Sequence, residues 1–245
     1  MVKKIIFVLL VISNLFTQEN ILKNIMKVAK TMNTIEHKNL SRAKSHENAG
    51  LYNEAHLIYK QLFNDNPTSE QIFSSYKSFL KKQNDWDLLI EISITYSEGL
   101  GKNPYGLLAL ADSYLLVKKD ELAFNIFDNL FREYALDIKK LKRFTSKLIY
   151  HNKIEFAIEK IFYIRNKLDL PDFYSKDLGL YYFSRMAYSK SLEEYILYLN
   201  YHPHHFNIIR EKLMAFPIDD EINDMIRKKL KNNNSKLSNI ILAEY

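Results

Sequence analysis

The chain has 245 residues, 47% of them apolar and 26% charged, which suits one or two domains with a continuous core and a soluble surface. Only five glycines and five prolines disfavour an all-β fold with its many turns, and the lack of cysteine excludes disulfides, thiolate metal sites and a cysteine nucleophile. A net charge of +6 tilts the chain towards acidic partners, but no concentrated basic stripe marks a nucleic-acid surface.

Residues 1–17 read as a secretory signal peptide. Lys3 and Lys4 precede an apolar run from Ile5 to Ile12, followed by Ser13-Asn14-Leu15-Phe16-Thr17-Gln18, with cleavage expected after Thr17 or, as the alternative, after Ser13. The run is shorter than the roughly 20 apolar residues of a spanning helix. An uncleaved N-terminal anchor is the alternative. Either way the rest of the chain is expected outside the cytosol, in the periplasm or otherwise associated with the cell envelope. Membrane contact is expected only through this segment, if it stays uncleaved. In residues 18–35, Ile21, Leu22, Ile25, Val28, Ala29 and Met32 fall at helical spacing and predict an N-terminal helix.

From Glu36 onward a small residue returns every 34 positions: Ala55, then Leu89, Ala123, Ala157 and Ser191, with Leu89 the one large member. A fixed period of this length predicts stacked helical hairpins, because one hairpin alone cannot bury its apolar face. The units are 36–69, 70–103, 104–137, 138–171 and 172–204. Position 8 of each is Ala43, Lys77, Ala111, Thr145 and Gly179, mostly small, which lets helices approach closely. Position 11 (His46, Leu80, Tyr114, Leu148, Tyr182) marks the inner face of the first helix. Positions 24 (Tyr59, Ser93, Phe127, Ile161, Tyr195) and 27 (Leu62, Tyr96, Leu130, Ile164, Tyr198) mark the second. Pro67, Pro104, Pro171 and Pro203 fall at or near unit junctions, where a helix must stop. Short polar turns at 48–50, 82–85, 118–120 and 151–153 suit antiparallel neighbours. Beyond the fifth unit, residues 205–245 predict irregular helices: Phe206 to Phe216, then Asp219 to Lys231, then a segment from Lys236 that resembles the start of another unit. Asp219, Asp220 and Glu221 fit a helix N-terminus, and Arg227 to Lys231 a C-terminus.

These units resemble the tetratricopeptide repeat family. The best local matches are Gly50-x-Tyr52-x-x-Ala55 with Tyr59, Leu62 and Pro67; Leu110-Ala111-x-x-Tyr114 with Ala123, Phe127 and Leu130; and Leu178-Gly179-x-x-Tyr182 with Ser191, Tyr195 and Pro203. The second unit departs most, with Lys77, Leu89 and Ser93 at positions 8, 20 and 24. The resemblance covers residues 36–204. It implies an all-α fold, a right-handed α-α superhelix built as a solenoid of helical hairpins. Trp86 stands where the family usually has a turn tyrosine, and is expected to pack into the core.

The same resemblance implies a non-catalytic scaffold that binds a protein or peptide in a concave groove lined by the first helices. The groove residues carried over are Lys81, Lys82, Tyr105, Leu108, Asp112, Lys142, Tyr150, Phe173, Lys176 and Phe183. Aromatics with interleaved lysines suit an extended peptide bearing apolar and acidic side chains. The family's two-carboxylate clamp needs Asn at position 9, and this chain has Lys44, Ser78, Asp112, Ser146 and Leu180 there, so that clamp is not expected. The alternative is that these aromatics pack within the stack or against later parts of the chain. No phosphate-binding glycine loop, His-Glu-x-x-His or Gly-x-Ser-x-Gly occurs, and no catalytic residue or cofactor is assigned. His202, His204 and His205 cluster around Pro203, with His151 elsewhere. With no carboxylate spaced beside them in sequence, they read as a solvated turn and no metal is assigned. The runner-up function is a recognition arm of a longer envelope-associated enzyme or assembly factor.

Overall fold

A computed structural model describes residues 34–233 and 236–244. The expected signal peptide and nearly all of the expected 18–35 helix lie outside the described residues. The described residues form two compact units that divide between Ile126 and Phe127. Every regular element among the described residues is helical. The first unit contains α1 (34–48), α2 (Tyr52–Asp65), α3 (Glu70–Gln83), α4 (Trp86–Gly99) and α5 (Pro104–Leu116). Helix α6 (Asp120–Glu133) begins there and continues into the second unit. The second unit goes on with α7 (Ile138–Tyr150), α8 (Ile154–Lys167), α9 (Ser175–Ser184) and α10 (Tyr188–Tyr201). A 3-10 turn (Pro203–His205) then leads into α11 (Phe206–Met214), α12 (Asp220–Asn233) and α13 (Lys236–Glu244). Within each unit, helices adjacent in sequence pack on one another, α2 on α3, α3 on α4 and α4 on α5 in the first, and α7 on α8, α9 on α10 and α12 on α13 in the second.

The hairpin turns repeat the 34-residue period in the backbone itself. Position 15 of the five units is Gly50, Asn84, Lys118, Asn152 and Met186, and each adopts the left-handed conformation, with φ between 56° and 78°. The residue that follows donates its N–H back to the carbonyl of position 11: Leu51 to His46, Asp85 to Leu80, Lys119 to Tyr114, Lys153 to Leu148, and Ala187 to Tyr182. Position 15 donates to the carbonyl of position 12 in each case. This paired closure satisfies the orphan carbonyls at the end of each first helix and reverses the chain within a few residues. The second helix then starts at once, in α4 with Asp85 Oδ1 accepting from Leu88 N. Between units, Asn103 Oδ1 accepts from Tyr105 N and Gly106 N, and Pro104 occupies the first helical position. Asp219 Oδ1 accepts from Glu221 N and Ile222 N and starts α12, the role read for it in the sequence.

The rows marked by the period are buried. Ala55, Leu89, Ala123, Ala157 and Ser191 are fully shielded, as are Ala43, Ala111, Thr145 and Gly179 of the other row. Where the second unit of the repeat departs from the family pattern, polar bonding replaces bulk. Ser93 Oγ lies 2.7 Å from Ser113 Oγ, joining α4 to α5. Nearby, the backbone of Gly106 comes so close to Ser97 that an added Cβ would stand 3.0 Å from its Cα. The first unit's core is dominated by rings, with Tyr59 stacked on Tyr76 at 5.7 Å and Phe73 on Tyr96 at 4.0 Å. In the second unit a cluster including Leu192, Tyr195, Ile209, Leu213, Ile226 and Ile241 joins α10 to the three last helices. One expectation fails here: Trp86 is 37% exposed and opens α4 at the surface instead of packing into the core. Leu89, one turn further on, takes the buried position.

Two glycines separate backbone strain from steric fit. Gly50 has φ of 78° with open space around its missing Cβ, so Gly50→Ala is expected to cost about 1 kcal/mol from the left-handed backbone alone. At Gly179 an added Cβ would stand 2.7 Å from the buried ring of Tyr195. Alanine gains roughly 1 kcal/mol of helix propensity there but must displace that ring, at about 1–3 kcal/mol. We expect Gly179→Ala to destabilise and Gly179→Val to do so more strongly. Urea unfolding followed by circular dichroism reads all three.

Candidate functional site

The predicted groove residues divide between the two units. In the first unit Lys81, Lys82 and Tyr105 are exposed. Lys82 Nζ lies 2.6 Å from Glu47 Oε1, and Tyr59 Oη donates to Glu47 Oε2 at 2.9 Å, so the lysine is tied to the core edge. Burial, and then the bond to Glu47, pushes the Tyr59 hydroxyl well above the usual phenol range, so it stays a donor. Two predicted groove residues have other roles. Leu108 is 4% exposed and belongs to the core, because its position on α5 faces inward. Asp112 is largely covered and sits 2.6 Å from Lys77 Nζ. This pair explains how Lys77 fits a row of small residues: its stem crosses the crowded position and its ammonium reaches Asp112 and the Ala109 carbonyl.

The second unit contains a cleft of about 320 Å³. Its walls are Ile138 and Lys142 at the start of α7, Leu170 and residues 172–175, Lys176 and Asp177 on α9, Tyr198 near the end of α10, and His202 and His205 just after it. Lys142 and Lys176, both predicted, are exposed cations on this rim. Phe173 also lines the cleft, but at 4% exposure it is wall and not contact surface. The reason is local. Helix α9 begins only at Ser175, so Phe173 falls in a turn that ends with Tyr174 in the left-handed region at φ 63°.

That turn is held by a buried ion pair that sequence reading missed. Arg165 on α8 meets Glu194 on α10 through two parallel contacts, Nη1 to Oε1 at 3.1 Å and Nη2 to Oε2 at 2.6 Å. Its Nε donates to the Phe173 carbonyl at 3.0 Å. The planar guanidinium thus ties two second helices to the turn between them, which a lysine could not do. On the other side Tyr174 Oη lies 2.9 Å from Ser146 Oγ of α7.

The remaining predicted residues stand apart from the cleft. Tyr150, 73% exposed, ends α7, with Lys147 Nζ over its ring at 5.5 Å and His151 edge-on. Phe183 stacks on Phe216 at 5.4 Å and meets Tyr188, so it packs against a later part of the chain and closes the core there.

The three histidines after α10 are organised. His202 Nε2–H donates to Asp172 Oδ2 at 2.7 Å, so the carboxylate absent from their sequence neighbourhood arrives from 30 residues upstream. His205 Nδ1 lies 2.5 Å from Tyr198 Oη, and its ring stacks on Tyr198 at 5.5 Å. Burial holds the His205 imidazole below its ordinary range, helped by His204, His202 and Lys176 nearby. Burial, with Asp172 and Asp177 adding to it, holds the Tyr198 hydroxyl above its own.

No protein-family model matches the chain, and no curated protein sequence matches it. Among solved structures it is similar to a tetratricopeptide repeat protein from Parabacteroides merdae ATCC 43184, at 12% identity and a TM-score of 0.40, over 85% of this chain and 97% of that one.

Removing one partner of the Arg165–Glu194 pair strands a buried charge, since their side chains are only 7% and 11% exposed. Glu194→Ala should cost about 3–5 kcal/mol in denaturant unfolding, whereas the double change Arg165→Met, Glu194→Leu should cost far less.

Proposed function

We propose that this chain is a non-catalytic interaction scaffold of the cell envelope that holds an extended segment of a protein partner against its first helices. The observation that carries this reading is the cleft of the second unit. Two exposed cations on neighbouring first helices, Lys142 and Lys176, flank an apolar wall that includes Ile138, Leu170 and Tyr198. Lysines beside aromatic and aliphatic surface select an extended peptide with alternating carboxylates and apolar groups. Hairpin arrays suit such binding because each unit presents its first helix beside the next, and affinity is tuned one unit at a time. Export rests on the sequence of residues 1–17, with its two lysines and eight-residue apolar run. In the first unit, taken by itself, Tyr105 and Lys81 are likewise exposed.

The test is binding of the purified chain to an array of acidic-aromatic and basic-aromatic peptides. We expect acidic-aromatic peptides to be retained, and Lys142→Glu with Lys176→Glu to weaken them at least tenfold while leaving helical content and unfolding midpoint unchanged. Equal retention by the double variant would overturn the cleft as the binding surface.

A further inference from the structure

We infer that His202, His204 and His205 form a binding site for a divalent transition metal ion of the zinc class, with Asp172 as the carboxylate that orients its first ligand. One ring nitrogen from each histidine lies within 4.8 Å of the other two. Tetrahedral zinc with Zn–N of about 2.0–2.1 Å sets its nitrogens about 3.3 Å apart, so the rings need close by about 1.5 Å at most. Two features limit that rearrangement to side chains. His204 is exposed and free to turn, its ring already 4.2 Å from that of His205. The backbone is fixed as a 3-10 turn behind Pro203, with His205 N–H donating to the His202 carbonyl at 3.0 Å.

The surroundings supply what an imidazole ligand needs. A carboxylate accepting from one ring nitrogen leaves the other with the lone pair, and this is the arrangement at His202, where Asp172 accepts from Nε2–H. At His205 the tautomer whose Nδ1–H donates to the Tyr198 hydroxyl oxygen leaves Nε2 with its lone pair for the ion. Three imidazoles with no thiolate suit zinc, copper or nickel over calcium or magnesium. Three protein ligands leave a fourth position for water or an incoming donor. His202 and His205 also line the cleft, so the ion would stand at its edge. This inference does not depend on the cleft holding a peptide.

The test is titration of the untagged full-length chain with Zn²⁺ against a chromophoric chelator, together with the visible spectrum after Co²⁺ addition. We expect one ion per chain that resists competition at micromolar concentrations, with an intense tetrahedral-type Co²⁺ band. His204→Ala, at an exposed position, should weaken binding at least tenfold with unchanged circular dichroism. Asp172→Asn should weaken it by about 10–100-fold while keeping the stoichiometry. Absence of competitive Zn²⁺ binding, or affinity unchanged in His204→Ala, would overturn the site. Wild-type affinity in Asp172→Asn would overturn the orienting role.

Discussion

The fold depends on one backbone conformation, repeated. At position 15 of each unit the chain turns left-handed, and the next N–H reaches back to close the first helix. With that closure the second helix starts within two residues and falls antiparallel on the first. Every other regularity, from the buried rows to the placement of first helices side by side, presupposes it. The requirement is on φ and not on residue type. Glycine meets it in one unit, asparagine in two, and lysine and methionine in the others. Asparagine tolerates this region better than most residues, and the larger side chains bear a cost of about 1–2 kcal/mol that packing elsewhere offsets.

This explains which parts of the fold were legible. The period could be read because small residues are required where helices touch, and side-chain size is visible in a sequence. Ala55, Ala123, Ala157 and Ser191 are all buried where the period puts them. The left-handed turn was visible only at Gly50; Lys118 and Met186 give no hint of it. Trp86 misleads because the resembling repeat position does not by itself imply burial: α4 begins at that residue and Leu89 faces inward. Leu108 sits on α5, which starts in register, but its position there faces inward; Phe173 is displaced for a different reason. Position within a repeat defines a face only if the helix has its full length, and α9 starts three residues late.

The candidate sites were harder to read because their partners are distant in sequence. Arg165 and Glu194 are 29 residues apart, His202 and Asp172 are 30, and Lys77 and Asp112 are 35. Each separation is close to one repeat. In a tandem array, residues one repeat apart are spatial neighbours, so a polar group near one helix end finds its partner in the adjacent unit. Searching for complementary charges at an offset near the period, and not at helical spacing, would have found all three.

The left-handed positions have another consequence. Gly50, Asn84, Lys118, Asn152 and Met186 are all exposed and sit at the tips of their hairpins, away from both buried rows. They therefore form a ladder of attachment points, one to a repeat, at which a fluorophore or spin label reports on its own hairpin without disturbing a core. In an array stabilised by local closure and nearest-neighbour contacts, such a ladder resolves the order in which hairpins are lost, which a single global unfolding signal averages away.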